Sequence, residues 1–82
     1  MPTFLDHHAM PEMTPEMREA MAERIRGGQP DENGAKAVNV YVADGEAYCL
    51  SEAPDAAAVV KAHEAAGVAV RREDVVEITP IV

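Results

Sequence analysis

The chain has 82 residues, 48% of them hydrophobic, which is the size of one domain and no more. Fifteen acidic residues against seven basic ones give a formal net charge of −8, which argues against nucleic acid and against anionic membrane surfaces as partners. The lone cysteine, Cys49, excludes an internal disulfide and fits a reducing, cytoplasmic compartment; MPTFLDHH reads as no signal peptide, and no run approaches a membrane span.

Thr3 to His8 reads as a short strand, broken at Ala9-Met10-Pro11. A helix starts at Thr14-Pro15-Glu16: Thr14 caps, Pro15 suits the first helical position, and Glu16 faces the positive end of the helix dipole. Met17, Ala20, Met21 and Ile25 follow at helical spacing, and Gly27-Gly28 ends the run. Met17 and Met21 are expected in the core, with Met10 and Met13 as loop packing rather than a copper-binding run. After a polar loop over Gln29 to Gly34, Lys36 to Ala43 alternates as a strand. Asp44-Gly45 supplies the positive φ of a two-residue hairpin turn, and Glu46 to Glu52 returns as the partner. Pro54 and Asp55 open a second helix with an apolar stripe of Ala56, Val59, Val60, His63 and Ala66, stopped at Gly67. A charged turn over Arg71 to Asp74 leads to a last strand, Val75 to Ile78.

This βαββαβ order predicts a single α+β, ferredoxin-like domain over residues 1–82, an antiparallel four-stranded sheet with both helices on one face. The competing arrangement leaves the last strand unpaired. The two-residue turn pairs Val42 with Ala47, Val40 with Cys49 and Val38 with Ser51, all on one face, which makes the bed for the helices. Phe4, Asp6 and His8 join that face by alternation. Leu5 and His7 fall on the other, with Asn39, Tyr41, Tyr48 and Leu50. A bare face carrying Leu5, Tyr41, Tyr48 and Leu50 predicts a dimer interface, two sheets packed together, or a pocket between them.

In this topology the first strand and the second helix end at the same edge of the domain. Asp6, His8 and His63 are therefore expected at one rim, with Cys49 on the same sheet face and His7 in reserve. Two imidazoles, a carboxylate and a thiolate suit a divalent transition metal, nickel among them. Taken singly, each residue has a plainer explanation: His63 as a core-edge histidine bonded to backbone, Cys49 as a small buried hydrophobe, Asp6 as an acceptor at a strand end. No CxxC or HExxH motif is present. An enzyme with Cys49 as nucleophile lacks a group to orient its histidine and evident oxyanion donors.

The segments FLDHH, EAYCLSEAPDAAAV and KAHEAAG resemble a family of small nickel-binding ferredoxin-like proteins long classed as domains of unknown function. Its D-x-H falls on Asp6 and His8, its Cys-Leu-x-Glu-Ala-Pro block on Cys49 through Pro54, and its helical histidine on His63. Relatives with a further histidine late in the second helix differ from this chain, which has Ala65 and Ala66 there. The resemblance implies a dimeric α+β barrel and nickel binding by a non-enzymatic protein acting as buffer, carrier or sensor. The alternative is a metal-free dimeric barrel for protein or small-molecule interaction.

Overall fold

The computed structural model describes residues 1–81; Val82, the last residue of the expected domain span, lies outside the described residues. The elements in chain order are β1 (Thr3–Ala9), α1 (Pro15–Gly27), β2 (Lys36–Ala43), β3 (Glu46–Glu52), α2 (Ala56–Ala65), a 3-10 turn (Arg72–Asp74) and β4 (Val75–Ile78). The four strands form one sheet in the order β2-β3-β1-β4, every neighbour antiparallel. β4 pairs with β1, which removes the alternative of an unpaired last strand.

Local chemistry accounts for the boundaries. The Thr14 side chain accepts from the Met17 N–H at 3.1 Å, with Pro15 in the first turn of α1. Asp55 accepts from the Ala58 N–H at 2.9 Å and caps α2 in the same way. Asp44 and Gly45 both take positive φ, 52° and 76°, so the hairpin turn needs the residue types found there.

The expected pairs Val42–Ala47 and Val40–Cys49 are present, but Val38 does not face Ser51. A β-bulge shifts the register between Ala37 and Asn39, so Ala37 takes that place and Val38 is the extra residue. A tight turn fixes pairing only as far as the first bulge. Beyond it Lys36 faces Glu52, and their charged groups lie 3.3 Å apart.

The core is small-chained, Phe4, Ala35, Ala53, Ala56, Ala58, Val59 and Val75, with α2 packed against β4. α1 contributes no buried residue. Met17, expected in the core, is 49% exposed, and Met21 and Ile25 are half-buried. The α2 stripe ends earlier than its pattern implied, since Ala66 is exposed, and Val42 at the hairpin end lies beyond the cover of the helices.

Since α2 brings Ala56, Ala58 and Val59 into the core, Asp55→Ala should destabilise the domain by about 1 kcal/mol, lowering Tm by about 5 °C in thermal circular dichroism. Removing the Thr14 cap of α1, which has no fully buried residue, should lower Tm less.

Candidate metal centre

Two-residue alternation places Asp6 and His8 on the helix-facing side of β1. Across the ladder Cys49 is the direct partner of Asp6. His63 sits one helical turn after the buried Val59, so α2 carries it down onto the same sheet face. One ligand atom from each of Asp6, His8, Cys49 and His63 lies within 4.8 Å of all the others. Nε2 of His63 is 3.2 Å from Oδ1 of Asp6, Nε2 of His8 is 4.0 Å from the same oxygen, and Nε2 of His8 is 3.5 Å from Sγ of Cys49. The two imidazole rings meet edge to face, with centroids 5.2 Å apart.

Both rings are oriented from behind. Nδ1 of His8 lies 2.8 Å from the carbonyl oxygen of Ala9, and Nδ1 of His63 lies 2.8 Å from that of Val59. A carbonyl can only accept, so each Nδ1 carries the proton and donates it. That leaves both Nε2 atoms turned toward Asp6 and Cys49, the arrangement in which an outer hydrogen bond fixes ring and tautomer for coordination. The backbone bond of His63, which alone reads as a plain structural contact, is part of this arrangement. The helical spacing of Val59 and His63 was the available signal for it; the bond from His8 to its neighbour's carbonyl had none.

Asp6 is the anomaly. It is 1% exposed, and neither carboxylate oxygen accepts a well-formed hydrogen bond. A buried charge in that condition is costly unless a cation stands against it. In the metal-free protein the His63 imidazolium supplies one. Burial lowers the pKa of His63, but Asp6, Cys49 and the Val59 carbonyl together outweigh it and raise the pKa from 6.5 to about 10. A divalent metal could replace that proton. The carboxylate, two Nε2 donors and sulfur fit an ion such as nickel in donor type and in spacing.

His7 does not join this group. Alternation turns it to the opposite sheet face, where Nδ1 is 3.0 Å from Oε1 of Glu46 and the ring stacks on Tyr48 with centroids 5.9 Å apart. On that face Leu5 and Leu50 are half-buried, while Tyr41 and Tyr48 are exposed. Val76 and Ile78 of β4 are exposed there too, opposite Leu5 and Thr3, and extend the apolar strip beyond the residues expected from the sequence. Among the described residues no helix is long and apolar enough to cross a membrane.

A family model described as nickel responsive protein SCO4226-like matches residues 4–78. Among solved structures, SCO4226 from Streptomyces coelicolor A3(2) is similar to this chain with a TM-score of 0.68 and 29% identity, over 98% of this chain and 99% of that one. No curated protein matches the chain.

The raised pKa of His63 sets the sign of a pH effect on the metal-free protein. Above pH 6.5 the unfolded chain has lost this proton, whereas the folded chain keeps it until about pH 10. The stabilisation from His63 is therefore complete below pH 6.5 and is lost as the pH rises toward 10. Chelator-treated protein should lose denaturant stability over that window, and His63→Gln should flatten the decline.

Proposed function

The chain belongs to the nickel responsive SCO4226-like family, and from that premise we propose that it binds one divalent transition metal, nickel first, through Asp6, His8, Cys49 and His63. The observation that carries this reading is the buried Asp6 carboxylate, unpartnered in hydrogen bonding and surrounded by three further donors. A metal there would take over from the His63 proton the compensation of that charge, so binding and deprotonation of His63 are coupled. Two neutral imidazoles and a thiolate supply borderline and soft donation, which favours nickel over magnesium or calcium. Because a proton must leave His63, uptake releases acid and weakens as the pH falls.

The role that follows is that of a cytoplasmic nickel buffer, carrier or sensor rather than an enzyme. The protein acts as a homodimer, its two sheets closing into an α+β barrel through the strip formed by Leu5, Tyr41, Tyr48 and Leu50. Exposure of Tyr41 at 55% and Val76 at 49% supports such a cover, since apolar strips on a small sheet favour burial against another surface. The same strip is what favours the second reading, a metal-free dimeric module whose pocket lies between the sheets.

Equilibrium dialysis followed by elemental analysis should find one nickel per chain. A hundredfold excess of free nickel over Kd should stabilise the protein by about 2.7 kcal/mol. Asp6→Asn or His63→Ala should weaken binding by about a hundredfold or more, and His7→Ala should leave it unchanged. Protein that takes up no nickel and shows no Tm shift would leave the metal-free module standing. In sedimentation velocity the protein should run as a dimer, and Tyr41→Glu should shift it toward monomer.

A further inference from the structure

Between α1, α2 and the helix-facing side of the sheet lies a cavity of about 500 Å³. Its walls are mostly apolar, with Met13, Met17 and Met21 on one side and Val40, Ala47 and Ala62 on others. His8, Cys49 and His63 line the same cavity. A space of this size, apolar but with a few convergent donors in its wall, has the make-up of a small-molecule site. The absence of any buried residue on α1 belongs with it: the helix roofs the space instead of filling it.

We infer that the cavity takes a non-anionic, largely aromatic small molecule whose single nitrogen or sulfur donor coordinates the metal held by the cluster. The inference rests on the metal reading above and names the ligand that would complete the site. Each element of that chemistry has a source on the cavity wall or in the charge of the chain. Methionine thioethers are flexible and make favourable contacts with aromatic rings, so the wall adapts to a flat apolar body. Donors set in an apolar wall favour a ligand that brings its own coordinating atom over loose water. The net charge of −8, and Glu12 and Asp31 against the one Arg24 in the lining, disfavour an anionic ligand.

The test compares 4-phenylimidazole with imidazole on the nickel-loaded protein, followed by the nickel and thiolate absorption bands and by calorimetry. The two probes share a donor and differ in the ring. Burial of that ring should make 4-phenylimidazole bind about tenfold or more tightly. Ala20→Trp, a change at an exposed position on the cavity wall, should erase the difference while leaving nickel stoichiometry and imidazole affinity as they were. Equal affinity of the two probes for wild-type protein would overturn the inference and leave the metal site intact. So would an advantage that persists in Ala20→Trp, or equal binding of 4-phenylimidazole to metal-free protein. Failure to load nickel at all would overturn both readings, and dialysis detects it before any probe is added.

Discussion

The contact between the Asp6 carboxylate and Nε2 of His63 is the constraint around which the domain is organised. It joins β1 to α2, and it places a negative charge where water does not reach. Such a charge needs a cation, and the protein holds one ready in protonated His63. A metal bound at the proposed site would replace that proton, so Asp6 would be compensated in either state. Outer hydrogen bonds to the carbonyls of Ala9 and Val59 keep both imidazoles aimed at the centre.

The two helices divide the work unequally. α2, capped by Asp55, brings Ala56, Ala58 and Val59 into the core and His63 to the donor cluster, so the core and the candidate site share one element. Small side chains let it sit close to β1 and β4, and close approach is what a 3.2 Å contact from helix to strand requires. α1 has the caps and spacing of a stable helix but rests over β2 with no fully buried residue. Its methionines face space instead of a packed interior.

Much of this was legible in the sequence because it depends on local rules. Thr14-Pro15, Asp44-Gly45 and Asp55 set boundaries through caps and turn geometry, and alternation alone separated Asp6 and His8 from His7. The gathering of Asp6, His8 and His63 followed from topology. What was not legible depends on tertiary fit. The bulge at Val38 alters pairing beyond the reach of the turn. Period-3.6 spacing identifies the apolar side of α1 but not how far it stands from the sheet, which is why Met17 read as core. The distance from Cys49 to the other donors needed the β1–β3 register, in which Cys49 faces Asp6 directly.

The donors at positions 6, 8, 49 and 63 lie on three elements separated by most of the chain. Bringing them together means closing long loops, an entropic cost met by the sheet and by α2 rather than by any short ligand motif. An unfolded or half-synthesised chain offers an ion no chelating pocket, only scattered side chains. Binding of an ion at these four donors would thus be a late event, open only to molecules whose topology is already correct, and a chain misfolded at β1 or α2 would lack the cluster altogether.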